Sequence, residues 1–199
     1  MMSEAAVIPM PDMPVTPYRV ARPLMEPGMV AFFSQDTSGL KKITQFPSWR
    51  IKHGQTPSHE CTHVGIIDIV RGRRVLIEAT SPRVQVGPLS ALVGETETPD
   101  GKHIAPYDGT VHVGRFGAYH GLAAGAAWDN LLLPYDYLDL LAIRLGIPRR
   151  NTKRYICSEL VAEALLAGGV ALDKPENGWA WTPADLILSP LCKMLWRLR

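Results

Sequence analysis

"RYICSELVAEALLAGGV", Arg154 to Val170, places a single cysteine directly before an apolar run. Leu160, Val161, Ala164 and Leu165 recur with the spacing of one helical face, and Gly168-Gly169 is a C-terminal stop. The spacing predicts a helix over Ser158 to Ala167, with Cys157 at or beside its N-terminus. Unpaired N–H groups and the positive end of the helix dipole favour an anion there, so a thiol in that position ionises more readily. The same N–H groups suit the oxyanion of an acyl transfer. Against this stands the habit of free cysteine, which is among the most buried residue types and commonly acts as a small hydrophobe. The chain has three cysteines, Cys61, Cys157 and Cys192. An odd, sparse set argues against a disulfide framework. A partner base would decide between nucleophile and filler.

"CTHVGIIDIV" and "RVLIEAT" flank "RGR" and are rich in β-branched residues, which predicts a β-hairpin from Cys61 to Thr80. With Gly72-Arg73 as the turn, Ile67 falls opposite Glu78, and alternation puts His63 on the face of Glu78 at a diagonal. A carboxylate beside the imidazole would fix its tautomer and support its charge. Asp68 falls on the opposite face. The competing reading of Glu78 is a solvent-facing strand carboxylate. His59, Cys61 and His63, spaced by two, form a possible zinc half-site, but no fourth ligand stands at a matching spacing. No metal and no cofactor are expected.

Around this pair the chain reads as α+β, strands first and helices after. Residues 1–27 hold six prolines and are expected to be an extended arm rather than helix, ahead of a catalytic domain over 28–199. "GMVAFF" (Gly28 to Phe33) is the first strand; Arg83 to Val86 and Val111 to Phe116 are shorter ones. Ser34 to Glu60 is polar and basic, with a short helix expected near Gly39 to Gln45. "GETETPDGKHIAPYDG" reads as loop, and helices are expected over Gly121 to Leu133, Tyr137 to Leu145 and in "TPADLILS", which Thr182 caps.

The 199 residues suit one domain, with 46% apolar and 20% charged residues. A formal charge of +2 gives no strong pull toward nucleic acid. No apolar run reaches a membrane-spanning length, and the C-terminal "LCKMLWRLR", basic and apolar, is too short to argue a membrane role. The first residues lack a basic stretch followed by an apolar one, so no signal peptide is read and a cytoplasmic or virion-associated location is expected.

The order "PGMVAFFS", "THVGIIDI", "VLIEAT", "PYDYLDLL", "YICSELVAEALLAGGV", "WTPADL" resembles the permuted papain-like amidases of the YaeF/YiiX type, within the NlpC-type cysteine peptidase superfamily. The lecithin:retinol acyltransferase-like enzymes share the permutation, in which the histidine strand precedes the cysteine helix. The resemblance spans Pro27 to Leu186. It implies an antiparallel sheet packed on the nucleophile helix, with Cys157 as nucleophile, His63 as general base and Glu78 as third member. It also implies that Tyr135 and Asp136 border the substrate groove; Tyr155, Trp179 and Trp181 are pocket or core aromatics. The implied activity is hydrolysis of an amide or related acyl bond, with cell-wall peptides or other peptidoglycan fragments as substrates. A lipid-acting thiol acyltransferase and a non-catalytic structural or virion-associated module are the other classes. The segment "RIKHGQTPSHEC" and the proline-rich arm are extra to the pattern.

Overall fold

The computed structural model describes residues 12–34, 61–94, 107, 109–117, 120–138, 153–173 and 180–198. In chain order these form α1 (Tyr18–Ala21), a 3-10 turn (Arg22–Leu24), β1 (Val30–Ser34), β2 (His63–Val70), β3 (Arg73–Thr80), β4 (Arg83–Pro88), α2 (Leu89–Leu92), β5 (Thr110–Phe116), α3 (His120–Asp129), α4 (Cys157–Ala167), α5 (Pro183–Leu188) and β6 (Cys192–Arg197). The six strands make one sheet in the order β4-β3-β2-β1-β5-β6, with every neighbouring pair antiparallel. The class is α+β. The expected helices near Gly39 to Gln45 and over most of Tyr137 to Leu145, together with His59 and Trp179, lie outside the described residues.

Strand alternation sorts the core onto two faces. Val30, Phe32, Val64, Ile66, Ile77, Ala79 and Val84 meet Ala123, Ala124 and Ala127 of α3 and Leu160, Val161, Ala164 and Leu165 of α4. Ala31, Phe33, Ile67, Leu76, Val111 and Val113 pack instead under Tyr18, Ala21, Met25 and Leu89. Helices α3 and α4 approach so closely that a Cβ on Gly168 would lie 3.0 Å from Ala123. Glycine is therefore required there for packing, and it is Gly169, at φ 82°, that takes the left-handed turn after α4.

Four expectations change. Residues 18–24 are helical, because Pro17 sits just ahead of α1 and Pro23 in the first turn of the 3-10 segment, where a missing N–H costs nothing. Tyr18, Ala21 and Met25 of this segment are buried, whereas Val20 is exposed. The hairpin turns at Arg71-Gly72, not Gly72-Arg73: Val70 pairs with Arg73, and both turn residues have positive φ, 49° and 76°. That is the twist a two-residue hairpin prefers. The register is then Ile66 with Ile77 and Ile67 with Leu76, so Ile67 does not face Glu78. Helix α3 stops at Asp129, and Leu132 to Tyr135 run along β4, with Leu133 O accepting from Val84 N–H at 2.8 Å and Tyr135 N–H donating to Pro82 O at 2.9 Å. Pro134 disfavours helix at the residue before it. Finally, "LCKMLWRLR" supplies the edge strand β6, paired to β5 across a bulge at Val113/Gly114. Among the described residues, no helix is long and apolar enough to cross a membrane.

Candidate active site

Helix α4 begins at Cys157 after an extended Ile156, φ −88° and ψ 164°. Ile156 has no side-chain acceptor, so the first N–H groups of the helix receive no side-chain cap from it. Glu159 Oε2 accepts from the Ile156 N–H at 3.5 Å. Ser158 Oγ donates to the Trp181 carbonyl at 2.8 Å, which ties the helix start to the segment leading into α5. Thr182 caps α5 reciprocally with Asp185, as its sequence implied.

His63 opens β2, and its Nε2 lies 2.6 Å from Glu78 Oε2 on β3. The β2–β3 register ends at Ile66 with Ile77, although β2 begins at His63 and β3 runs on to Thr80. The two strands thus part where the histidine and the glutamate stand. Beyond this end of the ladder the Val64 N–H reaches the Cys157 sulfur, as does the Ser158 N–H, and the His63 ring hydrogen-bonds the same sulfur. With Nε2 on Glu78, Nδ1 is the nitrogen left for the thiol. The ring also packs on Phe33, centroids 5.6 Å apart. The site is partly open: the side chains of His63 and Glu78 are 26% and 15% exposed.

The electrostatics follow from these contacts. Burial pushes the Cys157 thiol up, but the His63 charge and hydrogen bond, with the Val64 and Ser158 N–H groups, outweigh it and hold the thiol below its ordinary value. Burial disfavours a charged His63, but Cys157 and Glu78 outweigh that and raise the ring to about 10. Glu78 is disfavoured as an anion by burial, yet its hydrogen bond and charge contact with His63, aided by Gln85, keep its carboxyl below the usual range. All three shifts run in the direction that favours the charged forms, thiolate at Cys157, imidazolium at His63 and carboxylate at Glu78. The other cysteines go the opposite way: burial raises Cys61, and the nearby Cys157 raises it further, while burial pushes Cys192 up to about 12.

The remaining candidates separate. Tyr135 lies near the sulfur; burial first, and then the Cys157 charge, push its hydroxyl up, so it stays protonated. Asp136 is fully buried, so its side chain is not exposed to solvent. Its N–H donates to Tyr155 O at 3.1 Å. Tyr155 is 6% exposed and its hydroxyl donates to Glu163 Oε2 at 2.6 Å, which makes it a core residue beneath α4. Trp181 is half-buried and packs on the helix-side core. Asp68 accepts from Trp128 Nε1 at 2.6 Å, on the face away from Glu78, as alternation required. Cys61 donates to the His63 carbonyl at 3.7 Å. Among the described residues no group of three or more His, Cys, Asp or Glu side chains is arranged to hold a metal. Gln85 was missed: its Nε2 donates to Glu78 Oε1 at 3.3 Å. The signal was the short Ser81-Pro82 connection, which sets Glu78 opposite Gln85.

No family model matches the chain, and no curated protein matches its sequence. Among solved structures, the crystal structure of metalloprotein YiiX from Escherichia coli O157:H7 is similar in fold, with a TM-score of 0.56 and 16% identity over 85% of this chain and 96% of that one. The likeness supports a YiiX-like fold.

Proposed function

We propose that this chain is a cysteine-dependent hydrolase of the amidase or peptidase type, built on a circularly permuted papain-like fold of the NlpC type. The observation that carries the reading is the continuous contact from the Cys157 thiol through His63 to Glu78 at an uncapped helix start. The Cys157 thiolate attacks the carbonyl carbon of an amide. Negative charge develops on the carbonyl oxygen, where the Cys157 backbone N–H is the first donor. The His63 imidazolium gives its proton to the leaving amine as the C–N bond breaks, leaving a thioester. Neutral His63 then takes a proton from water as that water attacks the thioester. The acid leaves, and the proton held by His63 restores the ion pair. Glu78 holds the ring in one tautomer and balances its charge throughout.

Peptide or acyl-amide compounds are the substrate class, with peptidoglycan fragments the first to test. The test incubates such fragments with the protein and reads new amine and acid termini by mass spectrometry. Wild type releases them and Cys157→Ser does not. A thioester adduct mapped to Cys157 after acid quench supports the reading, and turnover that survives Cys157→Ser overturns it.

YiiX is described as a metalloprotein. The described residues around Cys157 do not suit a metal, because one ring nitrogen of His63 is committed to Glu78 at 2.6 Å and the other faces the thiol. Metal analysis of the purified protein checks this directly: a stoichiometric metal whose removal stops turnover would replace the thiol reading.

A further inference from the structure

The β3–β4 ladder stays intact past the point where β2 and β3 part, running from Val75 with Pro88 to Thr80 with Arg83. Glu78 is therefore fastened to β4 and not to the strand that carries His63. Its two carboxylate oxygens are divided accordingly: Oε2 lies 2.6 Å from His63 Nε2, and Oε1 accepts from Gln85 Nε2 at 3.3 Å. A carboxylate held by one oxygen can swing about its Cβ–Cγ and Cγ–Cδ bonds; one held by both cannot without breaking a bond. We propose that Gln85 is a positioning residue of the site, which fixes the rotation of the Glu78 carboxylate and through it the direction of the His63 ring.

The proposal deepens the thiol-hydrolase reading and rests on it. Gln85 is exposed on β4, directly opposite Glu78, so a change there opens no core cavity. The groups around the pair are few. His63 faces Glu78 from β2. Cys157 at the start of α4 stands beyond it, with Cys61 and Tyr135 near the sulfur and Glu159 near Tyr135. Arg83 shares the pleat of Gln85 on β4. Of these neighbours, His63 and Gln85 hydrogen-bond the Glu78 carboxylate and hold its pKa down.

The test measures the rate at which a small alkylating agent modifies Cys157 as pH is lowered, in the full chain, by peptide mass mapping. Gln85→Met keeps length and loses the donor. The acid limb of its profile should move to higher pH, because Glu78 then protonates sooner, and labelling on that limb should slow about threefold, the scale of one hydrogen bond. In a Glu78→Gln background the same substitution should change nothing, because its effect passes through the carboxylate. Rapid, His63-dependent labelling with an acid limb unmoved by Gln85→Met overturns the proposal and leaves the hydrolase reading standing. An equal further loss in the Glu78→Gln background also overturns it, because Gln85 would then act by another route. Labelling of Cys157 no faster than that of Cys61 and Cys192 overturns both.

Discussion

The two ends of the β2–β3 hairpin are made of the same two strands and do different work. At the turn end every residue from Val70–Arg73 back to Ile66–Ile77 is paired, and the side chains Ile66, Ile67, Leu76 and Ile77 are fully or almost fully buried. At the open end the ladder stops, and polar groups take the place of pairing: His63 to Glu78, Val64 N–H to sulfur, Glu78 to Gln85. A backbone donor that a sheet would use on itself, the Val64 N–H, is there turned toward a cysteine. The difference shows how an antiparallel sheet can hold a thiol among polar groups. The end where β2 and β3 pair supplies rigidity, and the end where they part, each still held by its outer neighbour, supplies polar groups.

Changes at the two ends should therefore separate chemistry from stability. On the proposed mechanism, Cys157→Ser should lower hydrolysis by about 10⁴-fold or more while leaving the melting profile near wild type, since it removes the proposed nucleophile and not the fold. At the paired end, Ile66→Ala should cost about 3 kcal/mol in denaturant unfolding through the cavity it leaves. Labelling of Cys157 in the still-folded fraction should keep its preference over the other cysteines; loss of that preference would mean the two ends are not independent. Glu78→Gln should slow Cys157 labelling about tenfold, with little change in stability, because the ring keeps a hydrogen-bond partner but loses the charge opposite it. The smallest effect belongs to the turn. Arg71 has φ 49° beside Gly72. Arg71→Gly should relieve strain and stabilise by about 1 kcal/mol without altering Cys157 labelling.

Much of this was legible in the sequence because it depends on local periodicity. The face formed by Leu160, Val161, Ala164 and Leu165 and the glycine stop fixed α4, and β-branched alternation fixed β2 and β3. His63 and Glu78 were paired by alternation despite a misplaced turn, because a register shift by an even number of positions leaves every residue on its face. What was not legible depended on the third dimension. Whether Tyr155, Asp136 or Tyr135 is buried is decided by how the segment around Pro134 bridges β4 and Tyr155, and single-chain spacing does not encode that. The strand β6 was hidden because an edge strand beside a bulge shows only weak alternation. Proline-based exclusion failed at residues 18–24 because proline disfavours helix interiors, not helix starts.

The central claim is that Cys157 rests as a thiolate held by His63. A pH profile of alkylation, read separately at Cys157, Cys61 and Cys192, tests it most directly. Cys157 has a depressed value, so its thiolate is present above that value and is lost only as pH falls through it; Cys61 and Cys192 are raised and should react only in strong alkali. Wild type should therefore label Cys157 at a near-constant rate across neutral pH, about 10²-fold faster than the other two cysteines. His63→Ala should abolish that plateau and move the midpoint for Cys157 upward, toward the range of an ordinary thiol. Three cysteines that rise together in alkali, with a Cys157 profile indifferent to His63→Ala, would contradict the account.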